Sequence, residues 1–231
     1  MAFFYSPNVV TDGLVFAVDA ANKKSYPGSG TTWTDLASSN NGTLTNGPTF
    51  DSGDGGSIDF DGTDDYGNFN NLIPCPNVIS INVWAKRDTT TSACMFISSH
   101  GTSKQQFQFK TNTSNELVFT INNTGGAPFS PTFSSTLSTD TSLWYNFAGT
   151  YDGTTVKLYV NGVLGATNAS GPSGNINQFG QNMELMIGCR DSSTPVTFYD
   201  GSLACSSIYD RALSSTEITQ NYNALKSRFG L

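Results

Sequence analysis

The stretch from Trp144 to Leu164 constrains the fold more than any other part of the chain. It carries two turn signals, Asp152-Gly153 and Asn161-Gly162. Such dipeptides are favoured in tight hairpins because Gly, Asn and Asp tolerate the positive φ these turns need. Between the turns Val156, Leu158 and Val160 alternate with Lys157 and Tyr159, and before them Phe147, Gly149 and Tyr151 alternate with Ala148 and Thr150. A period of two is the mark of a strand with one buried face. The stretch therefore reads as a three-stranded antiparallel meander. A meander is not stable alone in water, so its apolar face needs a cover, and in a chain with few helical patterns the cover is a second sheet.

Composition supports that reading. Hydrophobic residues make up 37% of the 231, with 16 Phe, 9 Tyr and 3 Trp, enough to build a substantial core. Only 13% are charged, and Gly, Ser, Thr and Asn are plentiful, the profile of short strands joined by turns. The net charge of −7 comes from fifteen Asp and three Glu against eleven basic residues, which disfavours nucleic acid as a partner. No apolar run reaches the length of a membrane span, and the first residues lack the basic start and apolar core of a signal peptide. Cys75, Cys94, Cys189 and Cys205 are scattered with no metal-ligand spacing, and they read as free thiols, three of them beside apolar strands.

Along the chain, residues 1–12 read as an N-terminal arm and residues 13–231 as a single domain. Strands are expected at 13–20, 57–60, 78–86, 95–98, 106–110, 116–121, 183–188, 196–199 and 202–210, with short strands and packed loops over 22–57. Ser214-Ser215-Thr216-Glu217 is a capping box, followed by Ile218, Tyr222 and Leu225 at helical spacing and by Gly230 as a stop. The expected fold class is all-β: a two-sheet antiparallel sandwich with one short C-terminal helix.

Four pieces in this order resemble the laminin G-like, concanavalin A-like jelly-roll superfamily: residues 13–20, the run Ile58 to Tyr66, the hairpin from Tyr151 to Gly162, and Ile208 to Ser214 leading into Glu217 and Ile218. More narrowly, the opening Tyr5 to Leu14 and the run Ser25 to Leu36 are similar to laminin G-like proteins encoded by tailed bacteriophages. That resemblance implies a virion structural protein on the outside of capsid or tail. Its partners would be other virion proteins, in a homo-oligomer on a lattice, and it would be made in the host cytoplasm without a signal peptide. The aromatic arm Phe3, Phe4, Tyr5 is the expected partner contact, with loops 125–142 and 165–181 as further contact surfaces. The alternative is a carbohydrate-binding module for host surface polysaccharide.

The superfamily includes glycoside hydrolases, which need two carboxyl groups flanking the sugar bond. The Glu-x-Asp-x-x-Glu pattern of its laminarinase-like branch is absent, and Glu116, Glu184 and Glu217 are far apart, so the chain reads as non-catalytic. His100 is the single histidine, at a strand-to-turn transition, and reads as a surface residue rather than a base. Asp61, Asp64 and Asp65 read as turn chemistry; the resemblance also makes them a candidate calcium site, since hard oxygen ligands suit that ion, and no other cofactor is expected. Trp33, Trp84 and Trp144 lie in strand patterns and read as core rather than as sugar platforms.

Overall fold

The structure is a computed structural model that describes residues 7–69, 77–101, 104–122, 130, 132, 137–168, 174–176, 184–191 and 193–231. In chain order the strands are β1 (Leu14–Asp19), β2 (Thr32–Trp33), β3 (Gly42–Thr45), β4 (Thr49–Asp51), β5 (Ser57–Asp61), β6 (Tyr66–Phe69), β7 (Ile79–Arg87) and β8 (Cys94–Gly101). They continue as β9 (Lys104–Thr111), β10 (Leu117–Ile121), β11 (Trp144–Tyr151), β12 (Val156–Val160), β13 (Val163–Asn168), β14 (Leu185–Ile187) and β15 (Asp200–Tyr209), and helix α1 (Ser215–Leu225) closes the chain. The arm residues Phe3, Phe4 and Tyr5, Cys75 and most of loops 125–142 and 165–181 lie outside the described residues.

The strands form two antiparallel sheets. The first runs β13-β12-β11-β7-β15-β5-β4, with β1 pairing the C-terminal half of β15 where β5 leaves it. The second runs β10-β9-β8-β14-β6-β3-β2. The meander is β11, β12 and β13, and its second turn carries Asn161 at φ 51° and Gly162 at φ 77°, the paired positive φ of a tight hairpin.

The core between the sheets holds Phe147, Tyr151, Val156 and Leu158 from the meander against Phe96, Phe107, Phe109 and Phe119 from the second sheet. Phe96 stacks on Phe147 at 5.0 Å, and Gly149 sits where a Cβ would come within 2.7 Å of the Phe119 ring. The sheets approach this closely because that position has no side chain.

The sequence reading left Lys157 and Tyr159 on an open face, and here the structure differs. Tyr159 is buried with Ala148, Tyr209, Val10, Leu213 and Ile218, because residues 7–14 and α1 fold back over the outward face of the first sheet. Val10 N donates to Asn221 Oδ1 at 2.7 Å, and Tyr209 Oη donates to Val10 O at 3.0 Å. Beside this patch Trp84 and Trp144 hold Phe229 at 4.2 and 4.7 Å. Arg228 ties the same corner, donating to Asp19 Oδ1 at 2.8 Å and to Asp54 O at 2.7 Å. The capping box is formed, with Ser214 Oγ accepting from Glu217 N and the Glu217 carboxylate from Ser214 N. The helix ends at Leu225, a 3-10 turn spans Lys226–Phe229, and Gly230 follows at φ 71°.

Residues 196–199 are a second correction. Val196 makes one isolated bridge to Arg190, Thr197 turns at φ 56°, and no strand forms. Tyr199 instead drives its ring between Phe60 and Phe96 and donates its hydroxyl to Lys86 O at 2.8 Å. The aromatic there serves burial rather than a ladder.

Candidate functional site

The structure brings Asp61, Asp64 and Asp65 together, with ligand oxygens within 4.8 Å of one another. That span suits one hard cation, although three carboxylates supply only part of the six to eight oxygens calcium takes. Two of the three also build the turn. Asp61 Oδ1 accepts from Thr63 N at 2.8 Å and Asp64 N at 3.4 Å, and Asp65 Oδ2 accepts from Asp61 N at 3.2 Å. The backbone bonds hold the Asp61 carboxyl below its ordinary range, while burial and then the charges of Asp61, Asp64 and Asp59 push Asp65 up. Burial and neighbouring carboxylates likewise raise Asp88 and Asp200, so this edge of the first sheet is a crowded acidic end.

The three glutamates stay apart in their roles. Glu217 serves the helix cap and Arg211, which holds its carboxyl down at about 2. Glu116 accepts from Asn112 Nδ2 at 2.8 Å, and Glu184 from Asn68 Nδ2 at 2.9 Å. The tryptophans are all buried, as their strand patterns imply, and Cys94 and Cys189 are buried free thiols.

The feature that no spacing rule reveals is the outward face of the second sheet. Phe107, Phe109, Phe119, Leu185 and Ile187 point into the core, so their neighbours point out. The ladder registers then line up one residue from each of six strands: Thr120 opposite Gln108, Gln108 opposite Ser98, Ser98 opposite Met186, Met186 opposite Asn68, and Asn68 opposite Thr43. Five of the six are polar; Thr43 is exposed and Asn68 half-buried, whereas Ser98, Gln108, Thr120 and Met186 are buried.

Beside this row the chain after β14 turns back over the sheet. Gly188 N donates to Phe96 O, Ser98 Oγ donates to Cys189 O at 3.0 Å, and Asp191 Oδ2 lies 3.3 Å from His100 Nδ1. His100 is thus half-buried on an acidic partner rather than a free surface residue. Burial lowers its pKa, and Asp191 opposes that shift. Lys110 and Gln106 stand on the same face of β9 as Gln108, and Lys110 Nζ donates to Gln108 Oε1 at 3.1 Å. Gln106 Oε1 accepts from Ser99 Oγ at 2.8 Å, whereas Gln106 Nε2, Asn68 Oδ1 and Arg190 Nε are buried atoms with no hydrogen-bond partner. Unsatisfied buried polar atoms cost stability, and of these residues Asn68, on β6, is half-buried while Gln106, on β9, is fully buried.

A half-open cleft of about 230 Å³ lies on the other face, lined by Val9, Leu14, Leu36, Trp84, Tyr209 and Leu225 among others. Its Asn221 and Asp19 side chains are already bonded within the fold.

No significant relative is found among curated protein sequences. Domain 4 of AbnA, an extracellular arabinanase from Geobacillus stearothermophilus solved with arabinotriose, superposes with a TM-score of 0.68 at 16% identity, covering 90% of this chain and 98% of that one. The binding domain of Paraclostridial Mosquitocidal Protein 1 gives 0.71 at 16% identity over 93% of this chain, which spans only 52% of the toxin domain. Trypanosoma rangeli sialidase in complex with sialic acid gives 0.64 at 10% identity, covering 94% of this chain and 33% of the sialidase. At these identities the likeness is one of fold. The family model described as the concanavalin A-like lectin/glucanases superfamily matches residues 61–219, well over half of the sequence, and the chain belongs to that superfamily as a laminin G-like sandwich.

Proposed function

We propose that this chain is a non-catalytic recognition module that binds a glycan on the outward face of its second sheet. The observation that carries the reading is the open end of the cross-strand row, where exposed Thr43 stands opposite half-buried Asn68, whose Oδ1 has no hydrogen-bond partner. Sugars are held by planar amides and hydroxyls that match their own donors and acceptors. The carboxyls that burial raises, as a general acid would need, are Asp65, Asp88 and Asp200, which belong to the acidic end rather than to this row. The arabinotriose and sialic acid complexes of similar folds support a sugar ligand by analogy of fold alone. A glycan array tests the reading. Binding that falls in Thr43→Ala and Asn68→Ala with unchanged melting temperature supports it, and an array at background throughout refutes it.

A second reading places the module on a virion surface as an architectural or adhesive subunit. The similarity of Tyr5 to Leu14 and Ser25 to Leu36 to phage-encoded laminin G-like proteins favours it. In this reading Phe3, Phe4 and Tyr5 contact neighbouring virion proteins, and the sandwich presents its loops to the host surface. Deleting residues 2–8 should abolish incorporation into particles while leaving the fold intact, and unchanged incorporation refutes the role of the arm.

A further inference from the structure

The open end of the row lies on β2, β3 and β6, in a part of the chain whose charge has one sign. Residues 25–85 hold seven of the eighteen acids, Asp35, Asp51, Asp54, Asp59, Asp61, Asp64 and Asp65, and none of the eleven bases. Among the described residues, none of these seven forms an ion pair, and neither does Glu184. The ladders set Thr32 opposite Thr43, Thr43 opposite Asn68, and Thr45 opposite Tyr66. Leu44 belongs to the core and stands opposite Gly67, so Thr43, Thr45, Tyr66 and Asn68 face outward. Thr32 and Thr43 are exposed, and Thr45, Tyr66 and Asn68 are half-buried. Glu184, also half-buried, joins them by accepting from Asn68 Nδ2 at 2.9 Å. Asn46 Nδ2 donates to Asp64 O at 2.8 Å, which ties the turn after β3 to the acidic turn before β6.

The chemistry of this patch is weighted to acceptors. The Glu184 carboxylate accepts only, Asn68 Oδ1 has no donor, and the threonine hydroxyls serve in either sense. Such a face takes a ligand rich in donors. A sugar carboxylate or sulfate would find no base in these strands to pair with and would enter a field of its own sign, which like-charge juxtaposition penalises. Tyr66 adds an outward aromatic body directly across from Thr45, and the apolar C–H face of a sugar ring packs on such a body. We infer that the glycan bound here is neutral, with one ring packed on Tyr66 and its hydroxyls donating to Glu184 and exchanging hydrogen bonds with Thr43 and Asn68. The acidic stretch around the patch then acts as a filter against acidic chains.

This inference rests on the glycan reading, and its test separates the two. An array of neutral oligosaccharides is paired with the same chains oxidised at C6 to uronic acids, with amine-bearing forms as a third arm, at low and high salt. The expected result is binding of the neutral form about tenfold tighter than its acidic counterpart, a gap that narrows as salt screens the repulsion. Glu184→Gln leaves an oxygen for Asn68 but removes the charge, so the neutral-to-acidic ratio should fall by roughly threefold. Tyr66→Ala should weaken binding by about tenfold and Tyr66→Phe should recover most of the loss. Melting curves of all variants show whether the fold is retained. Equal or tighter binding of the acidic or amine-bearing forms overturns the neutral assignment and leaves glycan recognition standing. A folded Tyr66→Ala with parental affinity overturns the placement of the ring on this patch, and an array with no hit in any form overturns both readings.

Discussion

Phe229 is the side chain on which the closure of the first sheet turns, and its removal gives a measurable prediction. It is 7% exposed, stacked on Trp84 at 4.2 Å and an interplanar angle of 17°, and tilted against Trp144 at 4.7 Å. Truncating a buried Phe to Ala costs ~3–5 kcal/mol, through lost transfer and the cavity left behind. Phe229 sits at the edge of the molecule, where neighbours collapse more readily, so the lower figure of about 3 kcal/mol applies. For a domain of this size each kcal/mol moves the midpoint by ~2–4 °C, so Phe229→Ala should melt roughly 6–12 °C below the parent. Phe229→Leu keeps most of the volume and should lose less than about half of that. Because the polar row belongs to the other sheet, glycan affinity should be unchanged at temperatures where the variant is folded. Differential scanning calorimetry with a parallel binding isotherm makes the measurement. A fall of less than about 2 °C for Phe229→Ala would refute the claim that this aromatic pins the C-terminal segment.

Three further outcomes follow from the packing and the charges. Gly149→Ala puts a Cβ 2.7 Å from Phe119 and 3.2 Å from Phe109, so urea unfolding should show a loss of ~1–3 kcal/mol from overpacking, and an unchanged midpoint would contradict the close approach of the sheets. Burial and then Asp88, Asp59 and Asp61 raise the Asp200 carboxyl, so the folded state binds more protons than the unfolded chain just above pH 4, and the cost of the charge is fully present at neutral pH. Asp200→Asn should therefore melt higher than the parent at pH 7, with the difference closing as pH falls through 4; a variant less stable at both pH values would refute this. Glu217 is held at about 2 by Arg211 and Ser214, so its contribution is present above about pH 4.5 and fades as pH falls towards 2, and Glu217→Gln should be less stable at pH 7 and converge with the parent in acid.

Much of the fold was legible because the signals that specify it are local. The Asn161-Gly162 turn, the alternation through Val156 and Leu158, and the Ser214–Glu217 box each act over a few residues, and each forms as the chain reads. What failed to show depends on distant partners. Tyr159 is covered by Val10 and Ile218, a docking of the two chain ends that no period-two pattern contains. The run 196–199 has the β-branched and aromatic residues of a strand, yet Tyr199 is placed by its ring contacts and the backbone turns around it. Strand β6 was missed because Gly67 and Asn68 weaken its propensity, although its ladder with β3 and β14 is regular.

The candidate site was the least legible part for the same reason. Six strands contribute one side chain each to the polar row, so its members are never neighbours in sequence and leave no motif. His100 and Asp191 become a pair only when residues 189–191 fold back over β8. The aspartates that do cluster in sequence, Asp61, Asp64 and Asp65, are legible as turn chemistry and as a candidate calcium site, and the structure gives Asp61 and Asp65 backbone amides to hold.

The folding back of both chain ends has a practical corollary. Residues 7–14 and the segment after Ser214 lie against the same side of the molecule, with Gln220 Nε2 donating to Asn8 O at 2.8 Å and Phe229 under Trp84. The row from Thr120 to Thr43 lies on the opposite side. Fastening the protein to a support through the side that carries residues 7–14 and α1 turns the second sheet, with exposed Thr43 at the open end of its row, away from that support.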